Sequence, residues 1–348
     1  MTPTLFAVHG MVAALPAIAA GQAPTTFSHF DWELACDNTR TCRAAGYQAG
    51  DVEPGVSVLL TRAAGPDQAV TAQIELAHYG AEAGPLPAQV RMLVGRRPLG
   101  EVTLGVGSAT GKLSAAQTSA LLAAVLGKTT VTWTDGKTDW QLSGNGANAV
   151  LLKMDEFQGR IGTPGALVRK GSKPEASVLP ALPRPVILAA PVPNAGKDAD
   201  ALLTPSERKV LLAELAKTTA ASACEQFSEV LNSEEQLGIY RLSAGKLLVG
   251  ARCWLAAYNS GSTYWVVNSR PPYAPQAVAA DANAYDKGKL VSQQKGRGLG
   301  DCWSMAEWTW DGKAFVQSAA WDTGMCRLIA PGGAWQLPTL VSTVKQIR

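Results

Sequence analysis

Gly300–Ile329 reads GDCWSMAEWTWDGKAFVQSAAWDTGMCRLI, and the reading of this stretch sets the fold. It carries two cysteines, four tryptophans and an Asp-Gly pair between two β-patterned runs. Asp-Gly flanked by alternating apolar residues is the strongest short-range hairpin signal. A two-residue turn at Asp311-Gly312 pairs Trp310 with Lys313, Trp308 with Phe315 and Cys302 with Trp321. One face then holds Cys302, Ala306, Trp308, Trp310, Phe315, Ala319 and Trp321, apolar enough for a core wall. Trp303 falls on the opposite face with Met305. Cys326 lies just past the second strand, so a Cys302–Cys326 bond would clamp the open end. The stretch is a framework, not an active site.

Outward from it, the same kind of hairpin is expected at Asp135-Gly136, between Thr130–Thr134 and Lys137–Gln141. Short strands are expected at Phe27–Cys36, Gly55–Leu60, Val70–Leu76, Val90–Val94 and Leu99–Leu104. In the second half they fall at Gln236–Leu242, Lys246–Ala257, Thr263–Val267, Leu290–Gln294 and Leu340–Val344. Ala274–Gly288 has little pattern and is expected as a loop. A helix is expected over Ser114–Leu126, with Ser114 as N-cap, Gln117 completing a capping box and Gly127 as the stop. A second short helix is placed at Val150–Arg160. Thr204-Pro205-Ser206-Glu207 opens a third, which runs to about Lys217.

Prolines 174, 180, 183, 185, 191 and 193 cluster between the halves. Proline at this density suits an extended connector. The expected organisation is therefore a signal peptide over 1–23, an α+β domain over 24–172, a Pro-rich linker over 173–200 and a second α+β domain over 201–348. Each domain is expected to be a mainly antiparallel sheet with one or two helices.

The chain of 348 residues is long enough for two cores. A net charge of +3 and no Lys/Arg run argue against a nucleic-acid partner. Leu5–Ala20 is apolar apart from His9, and at 16 residues is short for a membrane span. Small residues at Ala17-Ile18-Ala19 and Gly21-Gln22-Ala23 suit signal cleavage. The alternative is a buried N-terminal helix. Six cysteines, an even count, fit an exported protein. Sequence proximity favours Cys36–Cys42, Cys224–Cys253 and Cys302–Cys326. No pair has C-x-x-C spacing, and only His29 and His78 remain after signal removal, so no metal site is expected.

Asp31–Tyr47, DWELACDNTRTCRAAGY, together with Gly300-Asp-Cys302, Trp308–Phe315, Cys326-Arg327 and Leu337–Leu340, resembles the exported bacterial family known as domain of unknown function 1176. The first half is also similar to invasion-associated locus B proteins. The chain departs from the family at Trp303, where glycine usually follows the cysteine. The resemblance implies a periplasmic protein. It carries over no catalytic residue.

Chemistry-bearing residues are few. His29 and His78 are expected on the surface rather than in a catalytic triad. Glu307, between tryptophans, is expected to face solvent. Lys295-Gly-Arg-Gly-Leu-Gly300 is glycine-rich, but a strand follows where a phosphate cradle needs a helix. The same loop could instead present Lys295 and Arg297, beside Trp303, to an anionic glycan or protein. These three are the candidate partner-binding residues, and no cofactor is expected. The leading expectation is a non-catalytic periplasmic binding or accessory protein of the cell envelope. A protein inhibitor or host-interaction module comes second, and a carboxylate-dependent envelope hydrolase third. An enzyme would show a deep pocket with converging acids, an inhibitor a rigid protruding loop, and a binding module a shallow aromatic surface.

Overall fold

The computed structural model describes residues 23–50, 53–77, 86–106, 109–193, 203–218, 224, 237–278 and 281–347. The expected signal peptide (all but its last position), His78 and residues 194–200 of the expected linker lie outside them.

The first half begins with a meander: β1 (Thr25–His29), β2 (Trp32–Cys36), β3 (Cys42–Tyr47), β4 (Val56–Arg62) and β5 (Val70–Leu76). With β8 (Thr110–Lys112) they form a six-stranded antiparallel sheet in the order β1-β2-β3-β4-β5-β8. A second sheet has the order β10-β9-β6-β7, built from β6 (Gln89–Val94), β7 (Arg97–Thr103), β9 (Val131–Thr134) and β10 (Asp139–Leu142). Helices α1 (Ala115–Leu126) and α2 (Ala147–Phe157) complete it. Ser114 and Gln117 form the expected reciprocal cap, and Gly127 closes α1. Alternation decides which side chains face inward. Trp32, Leu34, Val58, Leu60 and Ile74 of the first sheet meet Met92, Val131 and Trp133 of the second, with Leu121 and Met154 from the helices.

The second half opens with α3 (Pro205–Thr218), whose Thr204 and Glu207 cap each other as expected. It packs Leu211 and Leu215 on a sheet ordered β12-β13-β14-β15: β12 (Leu237–Arg241), β13 (Lys246–Leu255), β14 (Ser260–Asn268) and β15 (Gln276–Ala277). The other face of that sheet meets a five-stranded sheet, β16 (Ala284–Asp286), β17 (Lys289–Lys295), β18 (Trp303–Trp310), β19 (Phe315–Asp322) and β20 (Leu337–Leu340). Leu248, Tyr264 and Val266 there touch Leu290, Trp308, Trp310 and Phe315. Ala274–Gly288, expected as loop, holds two short edge strands. Among the described residues the architecture is mainly antiparallel β with three α-helices.

The β18–β19 hairpin forms, but not in the expected register. Trp310 pairs with Phe315, so the connection has four residues, not two. The Asp311 carboxylate accepts the amides of Lys313 and Ala314, and the Asp311 amide donates to the Ala314 carbonyl. A bulge between Glu307 and Trp308 then shifts the remaining pairs, and Met305 faces Trp321. Trp321 therefore leaves the core face on which it was expected and joins Trp303 and Met305 outside.

The three expected disulfides, Cys36–Cys42, Cys224–Cys253 and Cys302–Cys326, are all present. They suit an oxidising compartment. No described helix is long and apolar enough to cross a membrane.

Each of the two expected halves has a core of its own. A third core joins the halves: Ala35, Ala45, Tyr47 and Leu59 pack on Ile329, Trp335 and Leu337. Residues 173–193 of the expected connector run as a hydrogen-bonded strap. Leu179 bonds to the backbone of Gln158 and Gly65, and Leu182 to Thr39. β11 (Val186–Ala189) pairs in parallel with β21 (Thr343–Gln346), and Ala190 donates to Trp310. Proline removes donors but leaves carbonyls and extended backbone, which is what a parallel edge needs.

Candidate functional site

The outer face of the β17–β18–β19 sheet is a ladder of cross-strand rows. Lys295 stands opposite Trp303, and Gln293 opposite Met305, which stands opposite Trp321. Trp303 and Trp321 are thus diagonal neighbours on one face, within reach of each other. Gln293, Trp303, Met305, Trp321, Thr323 and Gly332 line a shallow cavity of about 220 Å³. It adjoins a second, about 320 Å³, walled by the β13–β14 turn at Leu255–Ser260 and sharing Gln293 and Trp303. Leu255 is 62% exposed and Tyr258 47%. The two cavities make one aromatic groove centred on Trp303.

The groove is held stiffly. The Trp303 ring N–H donates to the Gly300 carbonyl at 3.0 Å, and its backbone N–H to the Thr323 hydroxyl at 2.8 Å. The Lys295 ammonium lies 5.3 Å from the centre of the Trp303 ring, within cation–π range. Asn259, in the β13–β14 turn, fixes the backbone of Lys295 at both its N–H and its carbonyl. Gly296 packs on the Cys302–Cys326 sulfurs so closely that an added Cβ would sit 2.6 Å from one of them.

Arg297 is engaged by a neighbour in its own loop. Two of its nitrogens donate to the two Asp301 carboxylate oxygens, at 2.8 and 2.6 Å. Asp301 is buried and also accepts the Leu328 amide. Burial works to raise this carboxyl, but the bonds from Arg297 and Leu328 outweigh it and hold it below its ordinary value. Arg297 thus braces the glycine loop to the disulfide. Asp301, Cys302 and Cys326 lie together, yet the sulfurs are bonded to each other and the carboxylate is taken, so the trio offers no metal donors.

A larger cleft, about 990 Å³, is elsewhere, in the first half. His29, Gln48, Glu53, Lys128, Asp139 and Asn148 are among the residues that line it. Glu53 and Asp139 are exposed there. The acids whose titration burial disturbs stand outside that lining. Glu33 is pushed up by burial against the bonds it accepts from Tyr47 and Met325. Asp155 is pushed up by burial although it accepts the Val168 and Leu167 amides and faces Arg62. Both stitch packed segments together. Glu307 is paired with Lys289 at 3.1 Å on the sheet surface.

Sequence reasoning placed Trp303, Met305 and Lys295 together but missed Trp321, Gln293 and Tyr258. Strand parity put Trp321 inside, and only a bulge moves it out. The Tyr258-Asn-Ser-Gly261 turn was a legible signal for the groove's wall.

A family profile described as "protein of unknown function (DUF1176)" matches residues 26–342. An uncharacterized protein of Escherichia coli strain K12, YpfG, is 27% identical over 330 residues, covering 87% of this chain and 89% of its own. No solved structure matches. A match that spans both halves, the strap and all three disulfides places the chain in the DUF1176 family of proteins of unknown function.

Proposed function

We propose that the protein is a non-catalytic binding or accessory protein of the bacterial cell envelope, working in the periplasm through the Trp303 groove. The observation that carries this is the outward pair Trp303 and Trp321, with Met305 between them, on a disulfide-clamped sheet. Aromatic side chains on a rigid strand give contact area without a large ordering cost, which suits a weakly curved ligand such as a sugar ring. The absence of catalysis is supported by where the acids sit. Buried Glu33 and Asp155 hold segments together, and Glu53 and Asp139 in the large cleft are exposed.

A glycan array probed with wild type and Trp321→Ala tests the reading. Half-buried Trp321 should be removable with little change in melting temperature and with loss of the captured spots. Unchanged capture by a folded Trp321→Ala protein would refute the groove. A second reading, an inhibitor loop, is favoured by Leu255 and Tyr258, which protrude from a turn pinned by Asn259. Under it, Tyr258→Ala abolishes inhibition of an envelope hydrolase while Trp321→Ala does not.

A further inference from the structure

The charge in the groove narrows the ligand. Of the cations near the sheet's outer face, Lys289 is paired with Glu307 and Arg297 with Asp301. Among the described residues no carboxylate lies within ion-pair distance of the Lys295 ammonium. Its backbone is fixed on both sides by Asn259, and its head lies over the Trp303 ring. The exposed Gln293 and half-buried Thr323 line the cavity with that same Trp303 ring.

We propose that the groove takes an acidic glycan, a chain of carboxylate-bearing sugars lying across β17, β18 and β19. This rests on the groove reading above. Pyranose rings stack on Trp303 and Trp321, the carboxylate of a ring on Trp303 meets the Lys295 ammonium, and Gln293 bonds to ring hydroxyls. A lone ammonium supplies one positive charge, which a singly charged sugar acid balances and a doubly charged phosphate monoester does not. A neutral glycan would leave Lys295 unmatched. A lipid tail would need an enclosed apolar slot, whereas this groove is shallow and rimmed with amide groups.

The probes are oligogalacturonate and the same oligomer fully methyl-esterified, titrated at low salt with tryptophan fluorescence as the readout. The acid should bind about fivefold more tightly than the ester, the range of one solvent-exposed ion pair. That ratio should shrink at high salt. Lys295→Gln should bring the two affinities together without moving the melting temperature. Trp321→Ala should lower both affinities alike. If wild type binds acid and ester equally, the charge assignment falls and the groove stands. If Trp321→Ala binds both as wild type does, the groove itself falls. If wild type binds neither oligomer, the acidic-glycan proposal is overturned.

Discussion

Glu75 is a buried acid whose carboxyl burial carries into the physiological pH range. It sits in β5 between Ser57 of β4 and Thr110 of β8. One of its oxygens has no hydrogen-bond partner among the described residues. Burial alone pushes its carboxyl up to about 7 from an ordinary 4.5. Below pH 4.5 both folded and unfolded chains hold the proton, and Glu75 adds no slope. Between about 4.5 and 7 the folded carboxyl keeps its proton while the unfolded one has lost it. Stability therefore falls as pH rises through that window and stays reduced above it. Glu75→Gln should remove this slope and stabilise the protein at pH 8 by of order 2 kcal/mol, with little effect at pH 4. Chemical denaturation of both proteins at the two pH values checks this; parallel pH profiles would count against it. None of this was legible in the sequence, where Glu75 looks like any polar residue of an alternating strand. Its cross-strand neighbour Ser57 accepts a bond of 2.7 Å from Trp335 of the C-terminal segment, a contact distant in sequence.

The β18–β19 hairpin shows how far pattern alone carries. The two runs, the turn and the closing disulfide were readable because alternation and Asp-Gly are local signals. The register was not, because the Asp311 carboxylate builds a longer turn by capturing two amides. Asp135 does the same for Lys137 and Thr138 in the β9–β10 hairpin, so the two Asp-Gly-Lys turns share one device. The bulge beside Trp308 is likewise invisible to parity, and it decides that Trp321 faces out. The disulfide has two roles here. It closes a loop with a sequence separation of 24, which in the chain-entropy account adds about 3 kcal/mol. It also packs against Gly296, whose amide donates to the Cys302 carbonyl. Replacing Cys302 and Cys326 together with Ala should lower stability by about that amount and weaken ligand capture. Gly296→Ala has no room beside the sulfurs, so it should weaken capture while leaving the disulfide formed, as read by thiol titration. Full capture by Gly296→Ala would show that the loop adjusts freely.

The two halves were read as independent because composition marks a proline-rich boundary between them. What joins them is distant in sequence and leaves no periodic trace. Met325 donates to Glu33, Arg327 to Asp31, and Asn38 exchanges two bonds with Val341. Around these lies the apolar contact of Tyr47 and Leu59 with Ile329, Trp335 and Leu337. Trp335 is the largest side chain in that contact, and Trp→Ala at a buried site costs about 3–5 kcal/mol. With separate domains, Trp335→Ala would lower one of two unfolding transitions and spare the other. With a shared core and a hydrogen-bonded strap, the loss spreads to both halves. Calorimetry of wild type should therefore show one main transition, and Trp335→Ala should move it as a whole. Amide exchange should rise in β2 and β3 as well as in β20. If β2 and β3 keep wild-type protection while β20 loses it, the third core is only a contact surface, and the halves fold as the composition alone suggests.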